Sequence, residues 1–427
     1  MINNKLKYNE KQLQAIETMN PNVAIIAPAG SGKTSTLVGA IVEHREKNPN
    51  ESITAITFTR KAAGELKDRI PFAENISVAT IHSWSYQELV NLSKKMQKDP
   101  DKAFRIRMLD EEKIKEILSD LSKKRNYYYI RLNELYFYII GNYNIDITDA
   151  IRSMYEAVLT DYTVYKRSNG LYDFTDLPLY LLDKLNDTGQ SIEGIDALFV
   201  DEFQDVDPVQ LKVLDKVASE KKFYIGDFAQ SIYQFRGATK DIMKNVPQFK
   251  VMGLDINYRS YQEIIDFAST ARDYMKDVGL EFSKVFETRP SNIICERGQG
   301  GKVYTLSQGG SAMEVNKYLK LNGVNVIREV LRENPMFLCR TNREVKHLQN
   351  MGIENVSTVH QPKGLEYDAV IATDFKIKGD EDVNVGYVPL TRAKNTLVAA
   401  SFEGLVKVLR RIDIKKETGL GLVADLF

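Results

Sequence analysis

The chain is poor in the residues that staple, anchor or polarise other kinds of protein. Two cysteines, Cys295 and Cys339, stand in 427 residues; they cannot cross-link a fold of this size and fit a reducing compartment. Four histidines, none clustered with cysteine, leave no structural zinc site to expect. No stretch approaches the roughly 20 consecutive apolar residues of a membrane helix. The opening Met1-Ile2-Asn3-Asn4-Lys5 has no apolar signal core. Net charge is also lacking, with 58 Lys and Arg against 58 Asp and Glu, so any nucleic-acid surface must be a local patch rather than a global field. No fixed-period repeat or low-complexity tract occurs. What is present, 43% apolar and 27% charged residues, is the composition of a soluble, cytoplasmic, globular protein, and the length suggests two to four domains.

Short apolar runs recur, each ending in glycine, carboxylate or hydroxyl residues and each followed by a helix-period stretch. They include Val23-Ala24-Ile25-Ile26, Ile53 to Phe58, Ala197-Leu198-Phe199-Val200 and Phe223-Tyr224-Ile225. The series resumes at Met336 to Cys339, Val356 to Val359, Ala369 to Ala372 and Thr396 to Ala400. This alternation predicts an α/β fold with two parallel-sheet domains built from βαβ units. Between them, Tyr86 to Gly170 lacks strand punctuation and reads as a helical insertion. Its 91–131 segment is mildly basic, with twelve basic and seven acidic residues. The tyrosines of Tyr127-Tyr128-Tyr129 and Tyr136-Phe137-Tyr138 are expected in the core of that insertion. Gly298-Gln299-Gly300-Gly301 and Gly309-Gly310 mark loops.

Ala27-Pro28-Ala29-Gly30-Ser31-Gly32-Lys33-Thr34 follows a strand and precedes a helix, the setting that makes a phosphate-binding loop credible. Its glycines let backbone N–H groups wrap phosphate oxygens, and the helix N-terminus adds a positive dipole. Lys33 would reach the β- and γ-phosphates and the Thr34 hydroxyl would ligate Mg²⁺. Asp201-Glu202 ends another buried strand, where open α/β sheets place ligands. There Asp201 suits Mg²⁺, and Glu202 suits orienting or deprotonating the attacking water.

Asp201-Glu202-Phe203-Gln204-Asp205 and Gly226-Asp227-Phe228-Ala229-Gln230-Ser231-Ile232-Tyr233-Gln234-Phe235-Arg236-Gly237-Ala238 resemble motifs II and III of the UvrD/Rep/PcrA family of superfamily 1 helicases. Asn9-Glu10-Lys11-Gln12 is similar to its Q motif, Ile56 to Ala63 to motif Ia, Thr80-Ile81-His82-Ser83 to motif Ib, and Tyr172-Asp173-Phe174-Thr175-Asp176-Leu177 to its YDFDDL. Asn257-Tyr258-Arg259-Ser260 resembles motif IV, and Cys339-Arg340-Thr341-Asn342 the segment after it. Thr358 to Glu366 resembles motif V and Tyr387 to Lys394 motif VI. The resemblance implies two RecA-like domains with ATP between them. The boundaries it implies are 1–85 and 171–255 for domain 1A, 86–170 for a 1B-like insertion, 256–416 for domain 2A and 417–427 for a tail.

The site roles come with it. ATP would be bound by Gln12 on the adenine edge, Tyr258 stacked on the base, Glu366 on the ribose, and Ala27, Pro28, Ala29, Gly30, Ser31, Gly32, Lys33, Thr34 and Ser35 around the phosphates. Gln230 would touch the γ-phosphate, and Arg259 and Arg392 would act as arginine fingers. Taken singly, either arginine would read as a surface ion pair. Phe58, Tyr233 and Phe235 would stack on single-stranded DNA, with Arg60, His82, Arg236, Asn342 and His360 as polar contacts.

The chain departs from the family pattern in places. Ser35 replaces an arginine expected to stack on adenine, Phe235 a tryptophan, Arg60 an asparagine, Thr175 an aspartate, and Gln361-Pro362 a Ser-Ala pair. Only Arg343 to Ser357 stand where the family carries its mobile 2B subdomain, and the 33 residues after Lys394 are too few for a nuclease domain. The implied protein is a monomeric ATP- and Mg²⁺-dependent 3′→5′ helicase or translocase in a bacterial or phage-infected cell, acting on single strands and single/double-strand junctions. Two other readings stay open: a DNA-stimulated ATPase that unwinds poorly, and a nucleotide-gated DNA-binding subunit of a larger complex. The last residues, Gly421 to Phe427, resemble peptides that dock on sliding clamps; the other reading packs Leu426 and Phe427 back on the second domain.

Overall fold

The computed structural model describes residues 8–18, 22–71, 74–97, 104–140, 148–231, 248–278, 291–317, 319–359, 365–373 and 380–417. The chain forms two compact units. The first comprises 1–25, 34–225 and 235–252, and the second 26–33, 226–234 and 253–427.

The first unit is built on strands β1 (Val23–Ile26), β2 (Ile53–Thr57), β3 (Ile76–Thr80), β4 (Ala197–Val200), β5 (Lys221–Gly226) and β6 (Lys250–Gly253), in the order β3-β2-β4-β5-β1-β6. Strand β2 pairs in parallel with β3 and β4, and β4 with β5. Ala55, Phe199 and Phe223 share one register row and are fully buried. Helices on both faces exclude water from such a row, which is why these strands read as unbroken apolar runs. Strand β6 escaped the sequence reading because it is an edge strand, largely exposed and opening on Lys250.

The helices of this unit are α1 (Glu10–Glu17), α2 (Lys33–Lys47), α3 (Arg60–Arg69), α4 (Ile81–Met96), α5 (Glu111–Lys124), α6 (Leu132–Ile139), α7 (Asp149–Asn169), α8 (Leu177–Thr188) and α9 (Pro208–Asp215). Ile114, Ile117, Leu118 and Leu121 recur at three- and four-residue spacing along α5. They bury against Leu135, Tyr136 and Tyr138 of α6 and Tyr155, Val158 and Tyr162 of α7. Tyr128 and Tyr129 correct the expectation for the tyrosine cluster, since they are 69% and 97% exposed. They sit where the chain reverses after Asn126, whose φ is +59°, and within that triplet it is Tyr127 that packs back on the core. Main-chain bonds Leu109 N to Tyr172 O (2.8 Å) and Tyr172 N to Arg107 O (3.0 Å) close the two ends of this helical segment on each other.

The second unit carries β7 (Ile256–Asn257), β8 (Ile294–Cys295), β9 (Lys302–Leu306), β10 (Ser311–Glu314), β11 (Leu319–Asn322), β12 (Met336–Cys339), β13 (Val356–Thr358), β14 (Tyr367–Thr373) and β15 (Ala393–Ala400). Its helices include α10 (Gln262–Val278), α11 (Gly323–Leu331), α12 (Asn342–Asn350), α13 (Asp380–Leu390) and α14 (Phe402–Leu409). The seven-stranded sheet runs β11-β10-β9-β15-β14-β12-β13, parallel from β9 to β13. It is not wholly parallel, as the sequence suggested: β9, β10 and β11 pair antiparallel at one edge. Gly309 and Gly310 sit in a turn closed by Ser307 N to Ser311 O (3.0 Å) and Gly310 N to Ser307 O (2.9 Å). A parallel return needs a crossover of a dozen or more residues, which this turn does not supply. Between β12 and β13 the chain makes a single nine-residue helix, α12.

Candidate active site and nucleic-acid interface

The phosphate-loop segment leaves β1 with Ala27 N bonded to Gly226 O at 2.8 Å. Gly30 and Gly32 take φ of +71° and +79°, a backbone that side-chain-bearing residues avoid. The Ser31 amide and hydroxyl both turn back on Pro28 O, at 3.1 and 2.7 Å. Lys33 opens the fifteen-residue α2, and its Nζ lies 3.4 Å from Ala27 O, inside the loop's own curve. Thr34 follows it half-buried, and Ser35 is exposed.

Asn257 stands in the motif IV resemblance, where sequence reasoning assigned it no role of its own. It is fully buried, donates from Nδ2 to Ala29 O at 2.7 Å, and accepts on Oδ1 from the amides of Arg259 and Ser260, both at 2.8 Å. Tyr258 N adds a bond to Gly30 O at 2.8 Å. A Cβ on Gly30 would come within 2.7 Å of both Asn257 Nδ2 and Arg259 Cβ. Glycine is therefore required there by this close approach as well as by its φ. The Tyr258 side chain is exposed.

The buried Gln230 joins two further residues. Its Nε2 donates to Asp227 Oδ2 at 2.8 Å, and its Oε1 accepts from Arg392 Nη2 at 2.6 Å. Arg392 is 2% exposed, so it is no surface ion pair. The arginine ends in contact with the glutamine expected at the γ-phosphate, and Asp227 fixes which way the amide points. Arg259 donates from Nε to Glu366 Oε2 at 2.8 Å and from Nη1 to Thr391 O at 3.1 Å, while Lys394 reaches Glu366 Oε1 at 2.9 Å. Burial would raise the Glu366 carboxyl, but hydrogen bonds from Lys394 and Arg259, with their charges, hold it below the usual carboxylate range. The Asn384 amide, also unread in the sequence, donates to Ser231 O at 3.0 Å.

In the first unit, Asp201 N extends the ladder by bonding Ile56 O at 2.8 Å, and the buried Asp201 carboxylate accepts from Glu202 N at 2.9 Å. Glu202 adopts φ +49°, a left-handed conformation that costs a non-glycine residue about 1–3 kcal/mol and is typical of functional turns. Gln204 donates to the Glu202 carboxylate. Gln12 is buried at the start of α1, where its Oε1 accepts from Asn9 N at 3.0 Å in a capping box. Among the described residues no group of three or more His, Cys, Asp or Glu could hold a metal.

Register pairs Thr57 with Thr80, so the residues after β2 and β3 emerge at the same end of the sheet. Phe58 is half-buried there, and Arg60 is exposed at the first position of α3 behind the Thr59 cap. His82, in the first turn of α4, stacks on Phe174 with ring centroids 5.2 Å apart. Phe174 is 42% exposed and held by its neighbours. The Asp173 carboxylate accepts from Lys166 Nζ (2.7 Å), Tyr162 OH (3.0 Å) and Thr175 Oγ1 (2.6 Å), and Lys166 also reaches Asp176 at 2.6 Å. Thr175 thus donates to Asp173 at a position where an aspartate would set a second carboxylate against it. Burial raises Asp176, helped by the Asp173 charge, whereas the charge and hydrogen bonds of Lys166, with those of Thr175, outweigh burial to lower Asp173. Asn342 is half-buried at the first position of α12, behind the Thr341 cap. Tyr233, Phe235, Arg236, His360 and the segment 418–427 lie outside the described residues.

Comparison with known proteins places these features in one group. The family model of the UvrD/Rep helicase N-terminal domain matches residues 8–250, more than half of the chain. The chain is 26% identical over 366 residues to a probable DNA helicase II homolog of Mycoplasma capricolum, covering 77% of this chain and 48% of the relative. It is 29% identical over 331 residues to the ATP-dependent DNA helicase PcrA of Leuconostoc citreum, covering 69% and 41% respectively. Against the ATP-dependent DNA helicase Rep of Buchnera aphidicola subsp. Baizongia pistaciae, identity is 31% over 297 residues, covering 61% and 42%. The chain spans about half the length of the curated relatives it matches. With the phosphate loop, the strand-end carboxylates and the two arginines described above, these matches establish that the chain belongs to the UvrD/Rep helicase family.

Proposed function

We propose that this protein is a single-stranded-DNA-stimulated ATPase that moves 3′→5′ along one strand as a monomer and opens duplex ahead of it. The observation that carries the reading is the buried Asp227–Gln230–Arg392 chain, grouped in one compact unit with Lys33 and Arg259. Phosphoryl transfer needs little covalent help from a protein; it needs positioning and neutralisation of charge on the transferred group. Lys33 and the loop amides hold the β- and γ-phosphates, and Gln12, Tyr258 and Glu366 bind the nucleoside. Thr34 and Asp201 would hold Mg²⁺, which when bound would supply neutralising charge to the phosphates. Glu202 accepts a proton from the water that attacks the γ-phosphorus. The bond to the β-bridging oxygen breaks, and ADP and phosphate leave. Arg259 and Arg392 meet the charge that develops on the way.

DNA stimulation is assigned to the Phe58, Arg60, His82 and Asn342 positions, since base stacking with backbone contacts is indifferent to sequence and suits a motor. One observation favours a second reading, a translocase that unwinds weakly: a nine-residue helix stands between β12 and β13 where a duplex-gripping subdomain would be inserted. Strand displacement, measured beside ATPase with and without single-stranded DNA, tests both. ATPase insensitive to DNA overturns the motor reading, and DNA-stimulated ATPase without displacement selects the weak unwinder. Docking of the tail on a sliding clamp is tested by deleting residues 420–427, which should abolish clamp binding and spare ATPase.

A further inference from the structure

Arg297 lies in the turn after β8, outside every motif. Its guanidinium stacks on the Tyr261 ring, 3.9 Å from the centroid. Nη1 donates to the carbonyls of Arg259 at 2.9 Å and Lys394 at 3.1 Å, and Nη2 donates to Asn395 Oδ1 at 2.7 Å. One side chain therefore grips the backbone of one arginine finger and the backbone two residues beyond the other. Those two loops are also joined directly, by Ser260 Oγ to Ala393 O at 2.6 Å and Tyr261 N to Lys394 O at 3.3 Å. Arg297 spans both from a third segment.

Its own seat is built. A Cβ on Gly301 would meet Tyr261 Cβ at 2.8 Å, and one on Gly300 would meet the Tyr261 ring at 3.2 Å, so the glycine turn is moulded on this tyrosine. Glu263 accepts from the amides of Gly300 and Gly301, at 3.0 and 3.1 Å. A planar fork with fixed donors can stack and bridge two carbonyls together; a lysine cannot.

Resting on the proposed function, we infer that Arg297 is a positioning residue for both arginine fingers. It sets the separation of the backbone segments that carry Arg259 and Arg392 and touches neither nucleotide nor water. Errors of about 1 Å in such a constellation cost on the order of 10²-fold in rate, so the arrangement matters to turnover more than to folding.

The test measures DNA-stimulated ATPase, and affinity for ADP and for ADP–aluminium fluoride with Mg²⁺, in wild type, Arg297→Ala, Arg297→Lys and each combined with the Arg259→Ala/Arg392→Ala pair. In the single variants kcat should fall about 10- to 100-fold, with KM for ATP and ADP affinity changed less than about 2-fold. Affinity for the transition-state analogue should fall with kcat. Lysine should not rescue, and if Arg297→Ala fails to fold, Arg297→Lys carries the measurement. In the Arg259→Ala/Arg392→Ala background either substitution should cost less than about 3-fold, because both residues it positions are gone. A full loss in that background, equal losses for ADP and the analogue, or wild-type kcat in an active enzyme overturns the inference. A wild type that hydrolyses no ATP overturns the proposed function itself, and the inference with it.

Discussion

The carboxylates of the first unit and the arginines of the second are held in opposite ways. Asp201 accepts from the amide one residue on, and Glu202 from a side chain two residues on. Arg392 meets Gln230 across 162 residues, and Arg259 meets Glu366 across 107. The acidic pair is set by the local turn at a strand end, strained φ included. The arginines acquire their geometry only when distant segments pack. A change near the carboxylates should therefore remove one chemical role, whereas a change near the arginines should propagate through shared partners.

The largest expected effect breaks the local side of this contrast. Lys33→Ala or Glu202→Gln should abolish ATP turnover while single-stranded DNA binding, followed by fluorescence anisotropy, stays near wild type. Loss of both together would mean that the two loops support the fold rather than the reaction.

Next come the arginines. Arg259→Ala and Arg392→Ala should each lower steady-state ATPase about 10³-fold or more if they neutralise transition-state charge. Gln230→Ala should be strongly non-additive with Arg392→Ala, since one bond joins them. Additive losses would show that the two act separately.

A third prediction concerns a buried ion pair of the first unit that joins residues only seven apart. Lys166 and Asp173 are both buried and bind the turn that presents Phe174. Lys166→Met leaves a carboxylate buried without its cation and should cost about 3–5 kcal/mol in denaturant unfolding. Adding Asp173→Asn should recover part of that loss.

The smallest effect is in pH. Burial pushes the His44 imidazole below its ordinary value, against the pull of the Glu51 carboxylate 2.7 Å away. Below about pH 6.5 the unfolded chain then binds a proton that the folded one does not. Stability is whole above that pH and declines as pH falls toward the folded value. Melting temperatures between pH 8 and 5 should slope less in His44→Gln than in wild type.

Much of the fold is legible before any coordinates. Runs such as Ala197 to Val200 are read correctly because burial on both faces leaves no room for polar residues. The loop from Ala27 to Thr34 is equally plain, since its glycines serve a backbone need that is met locally. Legibility fails where exposure replaces burial. Lys250–Gly253 is an edge strand with little apolar pattern, and Tyr128 and Tyr129 project from a turn although their composition suggests a core. It fails again at Lys302 to Asn322, where a tight glycine turn reverses a chain expected to continue in parallel.

The sequence alone determined which segments become buried strands, which strand ends carry Lys33, Asp201 and Glu202, and the family to which those motifs point. These features rest on short-range periodicity, turn chemistry and capping, all written within a few residues. Tertiary structure decided the rest: that Arg392 is buried on Gln230, that Arg259 lies on Glu366, that Asn257 bonds to the Ala29 carbonyl, and that Arg297 spans the backbone at Arg259 and Lys394. A guanidinium can pair with many acceptors, and nothing local selects among them. The choice is made when residues tens to hundreds of positions apart are packed side by side.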